Sequence, residues 1–171
     1  MRLITISKEA EQSIMRYRQL CFKYGEHLIH GSGELQDYSD FISWYEWNKL
    51  HESVKTLPQG RVCSKQFMFV EETQNEVIGM LNLRLSLNDY LMQYGGHIGY
   101  SIRPDQRGHG YAKEMLAMGL NVCKSMDLHR VLLVCNKNNI ASAKTIKACH
   151  GILENEIQDH KDVLQRYWIS L

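Results

Sequence analysis

The sequence predicts a mixed α/β fold with a central mixed β-sheet flanked by helices, and three observations lead to this prediction. A short strand ending near residue 103 is followed by a glycine-containing turn and then by a helical pattern. The apolar run 130–135 has the composition of a strand buried on both faces. The remaining periodicities complete the order β-α-α-β-β-β-α-β-α-β-β. A length of 171 residues is suited to one domain, which we place at residues 1–171.

The first half of the chain is expected to contribute one strand, two helices and a loop. Alternation over residues 2–6 predicts the first strand, and Ser7 is a suitable N-cap for a helix over residues 8–24. Residues 25–36 predict a loop. The second helix, residues 37–52, is rich in aromatic side chains, which either pack on the sheet or line an acceptor pocket.

The second half is expected to contain a hairpin and the central elements. Because a helix joins the strand that ends near residue 103 to the strand 130–135, we expect these two strands to pair in parallel in a right-handed βαβ unit. The predicted elements are hairpin strands 66–71 and 76–85 with a turn at 73–75, an irregular segment 88–94, a helix 111–126, a helix 140–149, and strands 151–158 and 166–169.

The turn before the helix at residue 111 has the features of an anion-binding site. Gly108 and Gly110 permit positive φ and place no Cβ above the chain. The N–H groups that begin the following helix point in one direction, and the helix dipole adds partial positive charge there. Arg107 adds a formal charge beside them. The alternative is a glycine-rich connection that binds no ligand.

Two common phosphate-binding motifs do not fit this turn. The sequence has no G-x-x-x-x-G-K-[ST] run, and G-x-G-x-x-G fails because Lys113 stands where the third glycine is needed. The arrangement Arg107-x-x-Gly110-x-Ala112 instead resembles the R/Q-x-x-G-x-G/A motif of the GCN5-related N-acetyltransferase (GNAT) family. The segments 95–100 and 139–142 look like those of a group of predicted acetyltransferases within that family.

The resemblance implies a GNAT-like acyl-CoA N-acyltransferase fold, with a partly splayed sheet and acetyl-CoA as co-substrate. The pantetheine arm would lie where the strand ending near residue 103 and the strand 130–135 separate. The residues implied for acetyl-CoA are Tyr100, Ser101 and Ile102 at the pantetheine, Arg107, Gly108, His109, Gly110, Tyr111, Ala112 and Lys113 at the pyrophosphate, and Asn139 and Ser142 beside them. For Asn139 and Ser142, helix capping is an equally weighted alternative.

The implied activity is acetyl transfer to a primary amine by direct attack in a ternary complex. A lysine-like amine, with a pKa of ~10.4, must lose its proton before it can attack. The resemblance implies a catalytic base near His97, and a buried structural histidine is the alternative. Glu34, Asp37 and Glu71 are secondary candidates on the acceptor side.

The sequence departs from the family at the general acid. Many members carry a tyrosine in the helix after the N-x-x-S site, but the matching position here is Ile146. The thiolate then leaves unassisted, since thiols are fairly acidic with a pKa of ~8.5, or another group assists it. A non-catalytic acyl-CoA-binding module and a nucleotide-phosphate binder are therefore kept as alternative functions.

Composition narrows the partners. A net charge of +1 argues against nucleic-acid binding, and no apolar run approaches the ~18 residues of a membrane span. The N-terminus becomes polar at once, so we expect a cytoplasmic protein without a signal peptide. The five cysteines form no C-x-x-C pair, which argues against a metal site. We expect a small-molecule or peptide amine as acceptor, and a homodimer is one candidate assembly.

Overall fold

The computed structural model of the chain describes residues 1–73 and 75–171. Its elements follow the order β1-α1-α2-β2-β3-β4-α3-β5-α4-β6-β7, which confirms the predicted order. The strands are β1 Arg2–Thr5, β2 Ser64–Val70, β3 Val77–Arg84, β4 Ile98–Ile102, β5 Arg130–Asn136, β6 Ile152–Asp159 and β7 Asp162–Ser170. The helices are α1 Glu11–Lys23, α2 Phe41–Leu50, α3 Tyr111–Ser125 and α4 Ile140–Ala148. The turn predicted at 73–75 includes Gln74, which lies outside the described residues.

The strands form two antiparallel sheets, β1-β2-β3-β4 and β5-β7-β6. The predicted parallel ladder between β4 and β5 is wrong. Among the described residues, the two sheets are joined by an isolated antiparallel β-bridge between Gly96 and Leu133. The apolar run in β5 indicates burial on both faces, which an antiparallel strand covered on both sides also has. The pattern therefore located the strand correctly but not its partners.

The two long N-terminal helices begin later than their sequence patterns predict. Residues Lys8–Ala10 form a 3₁₀ turn before α1, and Ser7 makes no side-chain cap hydrogen bond to it. Before α2, the Asp40 carboxylate accepts the backbone N–H of Ser43 at 2.9 Å, so this side chain fixes the start of the helix.

Helices cover both faces of the first sheet. On one face, α1 and α2 pack through residues such as Ile14, Phe41 and Trp44. On the other, α3 and β5 pack around Met115 and Val131. Strands β2 and β3 are buried on both faces and form the centre of this sheet. Strand β4 pairs with β3 at the edge of the sheet. Within the described ranges, none of the helices combines the length and apolar composition of a membrane span.

Candidate active site

Two clefts meet beside the loop that connects α1 to α2. The first, which we call the glycine-turn cleft, has a volume of about 680 Å³ and lies between the end of β4, the turn before α3 and the start of α4. The second, the α2 cleft, has a volume of about 650 Å³ and lies between the same loop, α2 and the end of β3. Leu28 and His30 line both clefts, so the two cavities share a boundary.

The glycine turn presents unused backbone donors to the first cleft. Gly108 and Gly110 have φ values of 85° and 82°, and a Cβ at either position would meet no atom within 4 Å. Among the described residues, the N–H groups of residues 108–112 have no acceptor. The N–H of Lys113 is different, because it donates to the Gly110 carbonyl at 3.0 Å. The unused donors of the turn therefore belong to residues 108–112, and Lys113 is among the residues that line the cleft. That an anion binds at this turn stays a prediction.

Arg107 is already engaged in this structure. Its Nη1 and Nη2 donate to the two carboxylate oxygens of Glu26, with Nη2 at 2.8 Å, and its Nε donates to the Ile102 carbonyl at 3.0 Å. The carboxylate raises the pKa of the Arg107 guanidinium. Because the charge is paired, Arg107 holds the α1–α2 loop against the end of β4, and a phosphate contact would require it to exchange partners.

Alternation along β4 decides which backbone groups face the cleft. The His97 carbonyl accepts a hydrogen bond from β3, and the Arg103 N–H donates one to the residue before Gly79 in that strand. Because backbone direction alternates along a strand, Ser101, at every second position from these two, also directs its N–H and carbonyl toward β3. Tyr100 and Ile102 direct theirs to the opposite edge. This register argues against a backbone contact between Ser101 and the cofactor, although Ser101 lines the cleft, and its role in cofactor binding stays a prediction. Its hydroxyl instead donates to the His30 carbonyl and fixes the loop.

The start of α4 forms the far wall of the glycine-turn cleft. The Asn139 side chain accepts the Ser142 N–H at 3.0 Å, so Asn139 acts as a helix cap, the alternative kept for it above. The hydroxyls of Ser142 and Tyr100 lie 3.0 Å apart, and burial raises the pKa of Tyr100 to about 12. Ile146 is fully buried in the core, whereas Thr145 lines the cleft.

His97 lies between the sheets rather than at the junction of the clefts. Its Nδ1 accepts the Leu132 N–H at 2.9 Å, and its ring packs edge-on against Trp168. Burial, and then the charge of Arg84, lowers the pKa of His97 to about 4. Among the residues lining either cleft, His97 does not appear in the described part of the chain. This geometry favours the structural alternative, and the catalytic role of His97 stays a prediction.

His30 lies where the two clefts meet, and the sequence analysis gave this residue no role. The surface of His30 is exposed to the clefts. The surrounding protein nevertheless partly desolvates the imidazole, and this desolvation lowers its pKa. The nearby Glu26 opposes this shift and Arg84 adds to it. In the described structure the imidazole makes no hydrogen bond or ion pair. The sequence signal that was available is a histidine in the glycine-rich loop 25–36.

Of the three acidic residues predicted on the acceptor side, two line the α2 cleft and the third does not. Glu34 lines the α2 cleft and is held by the indole N–H of Trp47 at 2.9 Å and by Arg61 at 2.8 Å. Asp37 lines the same cleft and accepts the Gln36 amide at 2.8 Å. Glu71 follows β2 and is absent from the described linings of both clefts. Trp47 shows that the aromatic helix α2 contributes to the cleft, while Phe41 and Trp44 belong to the core.

The described residues contain no group of three or more His, Cys, Asp or Glu side chains placed to hold a metal ion.

Solved structures that share this fold include several bacterial acetyltransferases. Ribosomal-protein-S5-alanine acetyltransferase from Vibrio fischeri superposes with a TM-score of 0.70 at 16% identity, over 98% of this chain and 91% of that one. RimJ from Mycobacterium smegmatis, in complex with CoA-disulfide, gives 0.71 at 20% identity, over 98% and 80%. A mutant form of spermidine N-acetyltransferase SpeG from Vibrio cholerae gives 0.67 at 15% identity, over 99% and 95%.

Sequence comparison identifies the family directly. Among curated proteins, none matches this chain in sequence. A family model described as an acetyltransferase (GNAT) domain matches residues 15–151, from within α1 to the end of α4 and the residues after it. The matched region contains the glycine turn, both clefts and the helix start at Asn139. The chain therefore belongs to the GNAT family of acetyltransferases.

Proposed function

We propose that this protein is an N-acetyltransferase that moves an acetyl group from acetyl-CoA to a primary amine by direct attack in a ternary complex. The observation that carries the proposal is the meeting of the two clefts at Leu28 and His30. One cleft offers unused backbone donors for a pyrophosphate, and the other can hold a second molecule beside it. Two adjoining clefts allow both substrates to be bound at once, which direct transfer requires.

The glycine-turn cleft fits acetyl-CoA by the chemistry of its walls. The N–H groups of residues 108–112 would receive the pyrophosphate, and two lysines, Lys113 and Lys144, line the same cleft. The outward-facing backbone of Tyr100 and Ile102 would bind the pantetheine amides. When bound, acetyl-CoA supplies the activated thioester. Ser142 would lie on the opposite wall, with Asn139 holding its helix in place.

We assign proton acceptance to His30 in preference to His97. The attacking amine must be neutral, and its proton must be taken up as the new C–N bond forms. His30 lies where the clefts meet, and its lowered pKa keeps the imidazole neutral at physiological pH. The lone pair on Nδ1 of His97 already accepts the Leu132 N–H. As the C–S bond breaks, the electron pair leaves with the sulfur.

Tyr100 is the group that we propose to protonate the departing thiolate. Tyr100 lines the glycine-turn cleft, its hydroxyl lies 3.0 Å from that of Ser142, and a pKa of about 12 keeps it protonated at neutral pH. It would thus serve in place of the tyrosine that the family resemblance leads one to expect at Ile146. Solvent would then return the proton to Tyr100.

A non-catalytic acyl-CoA-binding module is the second candidate function, because Ile146 is buried and cannot donate a proton. Calorimetry with acetyl-CoA, CoA, ATP and NAD, followed by thiol release with an amine library, separates the candidates. Acetyltransferase function predicts tight binding of the two CoA species and amine-dependent thiol release. Binding without release with any amine would support the module, and binding of ATP or NAD but not CoA would contradict both. A cytoplasmic location stays a prediction.

A further inference from the structure

Arg84 is a cation of the α2 cleft whose donors are only partly used. It ends β3 and lines the cleft. Its Nη1 donates to the carbonyls of Gly95 and Gly96 at 3.3 and 3.0 Å. Among the described residues, Nε and Nη2 have no acceptor. These two nitrogens form one edge of the guanidinium plane, and such an edge can pair with both oxygens of a carboxylate.

Charge pairing sets Arg84 apart from the other arginines that line the clefts. Arg61 is paired with Glu34, and Arg107 is paired with Glu26. No carboxylate of the described residues lies within 4.0 Å of the Arg84 guanidinium. The Arg84 side chain is half-buried, and this burial lowers its pKa. A half-buried cation without a counter-charge is costly, and an anionic ligand group would offset that cost.

The carboxylates of the cleft do not pair directly with Arg84, although the charge of Glu34 acts on it from a distance and partly opposes the lowering of its pKa. Glu34 is held by Trp47 and Arg61, and Asp37 accepts the amide of Gln36. A bound polyamine would bring only positive charge toward Arg84. An acceptor with its own carboxylate would instead satisfy the unused edge of the guanidinium.

We propose that Arg84 binds a carboxylate of the acceptor, so that the acceptor class is an amine that also carries a carboxylate. This inference rests on the proposed function, because it assigns the α2 cleft to the acceptor. The Nη1 contacts to Gly95 and Gly96 hold the guanidinium in place, and the Nε–Nη2 edge receives the ligand. Nearby His30 would then take the proton from the amino group of the same molecule.

Matched acceptors test the proposal. Linear ω-amino acids of increasing length and their carboxamides would be compared as acceptors with acetyl-CoA. Each acid and its amide share the amine and differ in the carboxylate. At the best chain length, the wild type should prefer the acid by roughly tenfold or more in kcat/KM, as expected for hydrogen bonds to a charged group. Equal rates with acids and amides at every length would overturn the proposal.

Variants of Arg84 separate binding from folding. Arg84→Met should abolish the preference for the acid over its amide, while Arg84→Lys should keep part of that preference. Arg61→Lys is the matched control for Arg84→Lys, because Arg61 lines the same cleft and a lysine there can still pair with Glu34, and it should keep the full preference. If Arg84→Met slows acid and amide equally, or unfolds while Arg84→Lys shows no preference, Arg84 has only a structural role.

A binding measurement distinguishes failure of this inference from failure of the proposed function. Thermal unfolding of the CoA-loaded wild type would be followed with each acid and each amide, without turnover. Greater stabilisation by the acids, lost in Arg84→Met, would uphold the carboxylate site even if no acetyl transfer were detected. Acetyl transfer without any advantage for the acids, in binding or in rate, would leave the proposed function intact and overturn the inference.

Discussion

The Nδ1 atom of His97 accepts the backbone N–H of Leu132 at 2.9 Å, across the division between the two sheets. In the same place the His97 N–H donates to the Leu132 carbonyl at 2.7 Å. The imidazole therefore acts as the acceptor that a neighbouring strand would otherwise provide for Leu132. These two bonds hold the start of β4 against β5, and the sheets separate beyond this point, where the glycine-turn cleft begins.

Removing this acceptor should destabilise the protein. We expect His97→Ala to lower the free energy of unfolding by about 1–3 kcal/mol, because the buried N–H of Leu132 loses its partner. Urea unfolding at neutral pH measures the loss. His97→Asn is the matched control, since its side-chain oxygen can accept the same N–H, and it should recover much of the stability. Equal losses in both variants would show that the hydrogen bond is not what stabilises this region.

The stability of the wild type should fall as the pH is lowered from about 6.5 to about 4. The pKa of His97 is about 4 in the folded state, below its ordinary value of 6.5. Between these values the unfolded chain binds more protons, so the free energy of unfolding rises with pH. At ~1.4 kcal/mol for each pKa unit, the effect is roughly 3 kcal/mol at most. His97→Asn should flatten this slope in urea titrations, and the lowered pKa of His30 should leave a smaller residual slope. An unchanged slope would contradict the assignment.

Substitution at Gly110 should remove CoA binding without unusual loss of stability. Gly25 is the matched control, because its φ is 81° and its added Cβ also meets no atom within 4 Å. We expect both Gly110→Ala and Gly25→Ala to cost about 1–2 kcal/mol of stability from the left-handed backbone. Only Gly110→Ala should weaken CoA binding, by roughly tenfold or more, since its Cβ enters the space of the anion. Calorimetry showing equal CoA affinity in the two variants would argue against an anion at this turn.

His30 should determine the low-pH limb of the rate profile. Burial lowers the pKa of His30, so kcat/KM for an accepted amine should rise with pH through an apparent pKa below ~6.5, as the imidazole becomes a competent base. Glu26 opposes this shift and Arg84 favours it. His30→Gln should remove the limb and lower kcat, with CoA affinity nearly unchanged.

Two variants control this experiment. His27 lies in the same loop but stacks on Phe22 and does not line the described clefts, so His27→Gln should keep the limb. His97→Asn should also keep it. If His97→Asn abolishes the limb and His30→Gln does not, the proton is accepted by His97, as the family resemblance implies.

Local patterns predicted the elements and the glycine turn, because periodicity, glycine and helix caps act over a few residues. The order of strands and helices and the strand–turn–helix at Gly110 are confirmed. The Asn139 cap was predicted as one of two alternatives. These features depend on backbone conformation, which neighbouring residues largely determine.

Contacts between distant residues were beyond the reach of such patterns. Glu26 and Arg107 are separated by 81 positions, and no sequence signal shows that their charges are paired. Whether the N–H and carbonyl of Ser101 face the cleft depends on which edge of β4 pairs with β3, and the sequence pattern does not reveal this pairing. The family resemblance led us to expect a tyrosine at the position of Ile146, whereas the Ile146 side chain packs in the core and Tyr100 is the tyrosine that lines the cleft beside it.

Initial-rate kinetics with acetyl-CoA and an accepted amine test the central claim most directly, namely that two substrates held in adjoining clefts react in one ternary complex. Thiol release would be measured while both concentrations are varied, and mass spectrometry would confirm that the amine gains an acetyl group. The account predicts double-reciprocal lines that intersect, with Gly110→Ala raising KM for acetyl-CoA and His30→Gln lowering kcat. Parallel lines with acetylated protein isolated in the absence of amine, or no amine-dependent release from protein that binds acetyl-CoA, would contradict it.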